Sequence, residues 1–180
     1  MRKLSLLKKW DSLSPYRKLI FGFLVAIFVG VILLKLPFSL RENQNITVLD
    51  SLFTIVSAIC VTGLSVVDVS QVFTPTGQLI ILFFIQLGGL GVMTVSIMIF
   101  LLIGKKMSFE TRELLKEERN SNSNGGITNF IKHLLLTVFV IEILGASILA
   151  YGFSKYYPLK RSIFYGLFHS VSAFCYAGFS

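Results

Sequence analysis

Charge is scarce in this chain. Asp, Glu, Lys and Arg make up 14% of its 180 residues, where a soluble domain carries about a quarter. Apolar residues reach 54%, and the mean hydropathy is strongly positive. A soluble globular fold is thereby excluded and a membrane protein indicated. Acidic residues are the rarer sign, 9 against 17 basic. The resulting charge of +8 sits in blocks between apolar runs, with no basic–aromatic module beside it. That pattern belongs to membrane topology, and no nucleic-acid partner is expected.

Cysteine is scarcer still. Cys60 and Cys175 form no C-x-x-C and no metal-ligand spacing, so they read as small apolar packing residues. An enzyme built on His133, Glu142 or a cysteine has no nucleophile–base pairing, metal spacing or phosphate loop behind it. The chain is read as no enzyme, with no cofactor of its own. The first apolar run is expected to be a retained span and not a cleavable leader. The apolar run after the basic N-terminus exceeds signal-peptide length and ends at Lys35-Leu36-Pro37-Phe38 without a small-x-small site.

What is present is a set of apolar runs and one segment that occurs twice. A first span is expected over 19–40, with Lys35 snorkelling at its far end. A second is expected over 78–103 and contains Gln86-Leu87-Gly88-Gly89-Leu90-Gly91. Small residues there suit close helix packing or a flexible point. A third is expected over 127–153, with Glu142 as the one acid inside a span, a candidate gating or coupling residue by default or else a hydrogen-bonded or protonated packing residue. His133, on the same run, reads as a solvated interfacial residue, and His169 as a packing or hydrogen-bonding one.

The repeat pairs Ser51–Ser65 with Gly166–Ser180. At a constant offset the copies share Leu52/Leu167, Phe53/Phe168, Val56/Val171, Ser57/Ser172, Ala58/Ala173, Cys60/Cys175, Gly63/Gly178 and Ser65/Ser180. In the first copy the apolar segment 48–59 spans only about 18 Å as a helix, roughly half the hydrocarbon thickness. Thr47 and Asp50 give it a capping-box start, and Ser162 is the corresponding expected N-cap of the second copy. A half-length helix followed by a glycine-bearing turn is a re-entrant hairpin. Non-helical backbone survives at membrane depth only when buried in protein or lining a watery cavity. Repeated hairpins of this kind suggest a pore lined by backbone carbonyls.

Orientation follows from the basic blocks. Arg2, Lys3, Lys8, Lys9, Arg17 and Lys18 precede the first span, and six more Lys/Arg fall within 104–132. The other turns carry only Arg41, Lys155, Lys160 and Arg161. The positive-inside rule puts the tail and long connection in the cytoplasm and both hairpins on the outer side, as parallel repeats. The organisation expected is a cytoplasmic basic tail (1–18) and a first pore unit (19–103). A cytoplasmic connection (104–126) and a second, incomplete pore unit (127–180) follow. The fold class is an all-α, multi-pass protein of the cell membrane, built from repeated span, pore-helix, filter, span units.

At Cys60-Val61-Thr62-Gly63-Leu64 and Cys175-Tyr176-Ala177-Gly178-Phe179, together with the glycine run at 86–91, the chain resembles the Trk/Ktr/HKT superfamily of potassium transporters. Within it the likeness is to the KtrB-type potassium-transporting subunit, because the first span follows a short basic tail directly. The resemblance implies four pore units in one polypeptide, so the 180 residues are expected to be an N-terminal fragment. It implies ion-binding filter carbonyls at Val61, Thr62, Gly63, Leu64, Tyr176, Ala177, Gly178 and Phe179. Potassium at this filter would be the only metal and is the substrate, with sodium a candidate coupling ion. Glycine at the position of Gly63 goes with potassium selectivity in the family, and serine there with sodium permeation. The implied partners are the lipid bilayer, a second copy of the full-length subunit and a cytoplasmic nucleotide-binding regulatory subunit. Its plausible docking surfaces are the basic tail and the 105–120 connection. The rival reading is a truncated, non-transporting membrane interaction protein, and a sodium-permeable transporter is a further variant.

Overall fold

A computed structural model describes residues 15–91 and 126–179. Most of the tail expected over 1–18, residues 92–103 of the expected second span, nearly all of the 104–126 connection and Ser180 lie outside the described residues. Within them the protein is helical, and the only bridge of β type pairs Leu40 with Phe73. The helices are α1 (Pro15–Lys35), α2 (Val48–Ile59), α3 (Val69–Val72), α4 (Pro75–Leu90), α5 (Gly126–Phe153) and α6 (Leu159–Phe174), with a 3₁₀ turn at Pro37–Ser39.

Each boundary has a local cause. Helix α1 stops at Lys35, short of the expected Leu40, because Pro37 drives Leu36 into extended backbone (φ −69, ψ 145). Helix α2 has the expected bounds. Its capping box is complete: the Asp50 N–H donates to Thr47 Oγ1 at 3.1 Å and the Thr47 N–H to Asp50 Oδ2 at 3.2 Å. The segment that follows the first hairpin includes the short α3, capped by Asp68. Thr74 caps α4 by accepting the Gly77 N–H, with Pro75 supplying a preset φ in its first turn.

Two expectations are corrected. The second span is not one helix over 78–103: α4 ends at Leu90, where Gly91 adopts φ 79, ψ 136, a conformation open to glycine. Ser162 is not an N-cap. Helix α6 begins after Pro158 with no side-chain cap, and the Ser162 hydroxyl donates backwards to the Tyr157 carbonyl at 3.0 Å. An interior serine bonding its own preceding turn explains the difference.

The core gathers around α2. Ile55, Ala58 and Ile59 pack with Leu34 of α1, Ile81, Phe84 and Ile85 of α4, and Phe168 and Val171 of α6. Outward faces are apolar as well: Phe28 is 67% exposed and Ile148 73% exposed. That distribution suits a lipid surround, since water would favour polar groups there. Among the described residues one helix, Lys132–Phe153, is long and apolar enough to cross a membrane; Ile20–Lys35, Val48–Ile59 and Pro75–Leu90 are shorter apolar helices.

Candidate functional site

The two repeated hairpins close in the same way. In the first, Cys60 caps α2 in a right-handed conformation (φ −80, ψ −2) and Val61 turns left-handed (φ 55). The Val61 N–H then donates to the Ala58 carbonyl at 3.2 Å and the Thr62 N–H to Ser57 at 3.0 Å. In the second, Cys175 (φ −78, ψ −1) and Tyr176 (φ 58) do the same, with Tyr176 donating to Ala173 at 3.0 Å and Ala177 to Ser172 at 2.8 Å. Both are Schellman closures, a geometry that favours glycine. A β-branched valine and a tyrosine there each cost about 1–2 kcal/mol of backbone strain. Such strain persists where surrounding structure enforces it, and it concentrates at functional sites.

Positive φ recurs two residues later, at Gly63 (φ 70) and Gly178 (φ 68), while Thr62 and Ala177 between them stay on the negative side. Along an ordinary strand successive carbonyls alternate between sides. Alternation in the sign of φ interrupts that regular pattern in both copies. The two segments meet directly: a Cβ added at Gly63 would overlap the Ala177 carbonyl oxygen.

Serines behind each turn brace it, a role the sequence reading did not assign although both recur in the repeat. Ser57 Oγ and Thr62 Oγ1 share a hydrogen bond of 2.9 Å. The second copy has Ala177 in place of Thr62, and Ser172 instead donates to the Phe179 carbonyl at 2.8 Å. That bond ties the Phe179 carbonyl to α6.

The glycine run on α4 serves both hairpins. A Cβ on Gly88 would overlap the Ile59 carbonyl at the end of α2, and one on Gly89 would strike Cys175 Sγ at the end of α6. Of the two options read from the sequence, close packing thus applies to Gly88 and Gly89, and a helix break to Gly91. Cys175 is buried as the packing reading requires, whereas Cys60 is exposed.

Glu142 is 3% exposed and partnered. Gln86 Nε2 donates to its Oε1 at 2.8 Å, and Gln86 Oε1 accepts from Cys175 Sγ at 3.7 Å. The Glu142 carbonyl also accepts from Ser170 Oγ at 2.7 Å. Its side chain therefore joins α5 to α4, its carbonyl joins α5 to α6, and through Gln86 it reaches Cys175, the residue before the left-handed Tyr176. His169 hydrogen-bonds the Tyr165 carbonyl at 2.9 Å and packs on Phe153 with ring centroids 5.5 Å apart, the role expected of it. His133 is exposed on α5. No group of three or more His, Cys, Asp or Glu able to hold a metal occurs among the described residues.

Comparison with known proteins gives a consistent answer. The model of a family described as "TrkH: Cation transport protein" matches residues 9–180. The Ktr system potassium uptake protein B of Bacillus subtilis is 40% identical over 172 residues, which cover 96% of this chain and 38% of that protein. The potassium/sodium uptake protein NtpJ of Enterococcus hirae is 37% identical, over 93% of this chain and 37% of its own length. The Ktr system potassium uptake protein D of Bacillus subtilis is 36% identical, over 94% and 38%. The chain thus spans less than two fifths of each of these relatives.

Proposed function

This chain belongs to the TrkH family of cation transport proteins, membrane transporters rather than enzymes, and on that premise we propose that it forms part of the ion path of a potassium transporter. The observation that carries the reading is the recurrence of one backbone form, a left-handed closure and then a positive-φ glycine, at Val61/Gly63 and Tyr176/Gly178. Removing an ion's water costs on the order of tens of kcal/mol unless other oxygens replace it. Carbonyls of Val61, Thr62, Gly63 and Leu64 form one wall of that replacement, and those of Tyr176, Ala177, Gly178 and Phe179 a second. The remaining walls come from the rest of the full-length protein. The C-terminal ends of α2 and α6 aim their partial negative charge at the same place, which favours a cation.

Glycine at both filter positions and relatives named for potassium uptake support potassium as the ion. Sodium is the second reading, supported by the relative named for potassium/sodium uptake; it enters as a permeant or coupling ion. Glu142 acts here by holding the second filter through Gln86, and any gating or coupling role runs through that contact. The full-length subunit spans the cell membrane several times with its N-terminus and the 104–126 connection cytoplasmic. It pairs with a second copy and docks a cytoplasmic nucleotide-binding regulator on its basic segments.

The test is Gly63→Ser in the full-length protein, with potassium and sodium uptake measured in a strain lacking its own uptake systems. The potassium preference should fall several-fold. An unchanged ratio overturns the filter assignment. A parent protein that inserts normally yet carries no cation leaves the non-transporting interaction protein as the better account.

A further inference from the structure

A cavity of about 560 Å³ opens between the N-terminal ends of α4 and α6, away from the filters. Three cations line it, Arg41, Lys160 and Arg161, together with Thr74, Phe164 and Tyr165. Arg41 is fixed at the rim by its Nε donating to the Phe73 carbonyl at 3.2 Å. Among the described residues no acid pairs with any of the three. Like charges gathered in one concavity repel, and side-chain entropy alone would spread them into solvent.

The local backbone makes this arrangement worse for the protein by itself. Lys160 and Arg161 occupy the first turn of α6, a helix of 16 residues with no acid in that turn and no side-chain cap. The positive end of the helix disfavours cations there. The Leu159 and Lys160 N–H groups find no acceptor among the described residues. Around one cavity stand Lys160 and Arg161, with no acceptor among the described residues, the part of the Arg41 guanidinium not engaged by Phe73, and the start of α6. We infer that this cavity binds an anionic phosphate group, bonded by Arg41, Lys160 and Arg161.

Two sources supply that chemistry, a phospholipid headgroup and free phosphate. The flanking residues favour headgroup depth: Tyr156 is 81% exposed and Tyr157 43% exposed beside the cavity-lining turn, as in the aromatic belts of membrane interfaces.

The test uses the full-length protein in nanodiscs of phosphatidylcholine, with phosphatidylglycerol replacing part of the lipid, and separately in neutral detergent with inorganic phosphate. Phosphatidylglycerol should raise the melting midpoint in a salt-sensitive way. K160Q/R161Q should bind the anion about tenfold more weakly or worse, and R41Q should weaken it independently. A rise with inorganic phosphate as well identifies a free anion as sufficient; a rise with phosphatidylglycerol alone identifies a lipid. The inference is overturned if neither raises the midpoint, or if K160Q/R161Q and R41Q both keep the full rise. It is also overturned if K160Q/R161Q melts lower than the parent in neutral detergent free of phosphate and lipid. That result would mean the cations already have a partner within the protein.

Discussion

The side-chain amide of Gln86 donates to Glu142 Oε1 at 2.8 Å, across 56 positions of sequence. Through the same residue, Gln86 Oε1 accepts from the Cys175 thiol at 3.7 Å. The acid in the long span is thus part of the support behind the second hairpin.

The support depends on an acceptor at position 142 and not on a negative charge. Glu142→Gln keeps an oxygen for Gln86 and should leave the melting midpoint of the full-length protein close to the parent's. Glu142→Leu strands the Gln86 N–H in the interior and should cost about 1–3 kcal/mol. Thermal melting of both variants in detergent checks this, with uptake measured alongside. If Glu142→Gln abolishes uptake while melting normally, the charge itself is used in transport.

Gly88 and Gly152 form a matched pair. A methyl on Gly88 would meet the Ile59 carbonyl, whereas nothing lies within 4 Å of one on Gly152. Gly88→Ala should therefore destabilise by about 1–3 kcal/mol through overpacking. Gly152→Ala, within α5, should be neutral or raise the midpoint slightly through its helix preference. Equal behaviour of the two variants in a melting experiment would remove the close approach of α4 to α2.

Features set by a few neighbouring residues were legible in the sequence. The bounds of α2 follow from Thr47 and Asp50 three residues apart, and the paired turns from Gly63 and Gly178 in a repeated frame. Contacts between distant segments were not. Nothing in the chain order couples Gln86 to Glu142, or assigns Gly88 to the end of α2 and Gly89 to the end of α6. The break at Gly91 was hidden because a glycine-rich run suits packing and interruption alike. Ser162 misled because serine caps a helix start and equally bonds back within a first turn; Pro158 decides between them.

Asp68 gives the loop before α4 a pH dependence. Its carboxylate is held below the usual range first by the Ser70 hydroxyl, against some loss of hydration, and then by the backbone N–H groups of Gln71 and Ser70 and the Gln71 amide. A depressed folded pKa contributes stability above the unfolded value, about 3.9. That contribution is lost as pH falls through the lower, folded value. Asp68→Asn should flatten this part of the stability profile below about pH 4 and leave the rest unchanged. Melting midpoints of parent and variant across that range measure the difference; parallel curves would exclude Asp68 as a contributor.

The last prediction separates the two hairpins. Ser57 and Ser172 are equivalent in the repeat, yet Ser57 bonds the Thr62 side chain and Ser172 bonds the Phe179 main chain. Removing the Ser57 hydroxyl leaves Thr62 with the Ser57 carbonyl as a longer alternative at 3.5 Å. Removing the Ser172 hydroxyl leaves a buried carbonyl without its donor, a loss of about 1–3 kcal/mol concentrated on the backbone of the proposed filter. Phe179 is then free to rotate its carbonyl, and Gly178 just before it loses its anchor. Ser172→Ala should lower the potassium preference of the full-length transporter more than Ser57→Ala does, with both proteins inserted to the same level. Uptake of potassium and sodium by the two variants reads this directly. A larger effect from Ser57→Ala would mean that side-chain bracing of Thr62, and not main-chain anchoring at Phe179, sets the filter's shape.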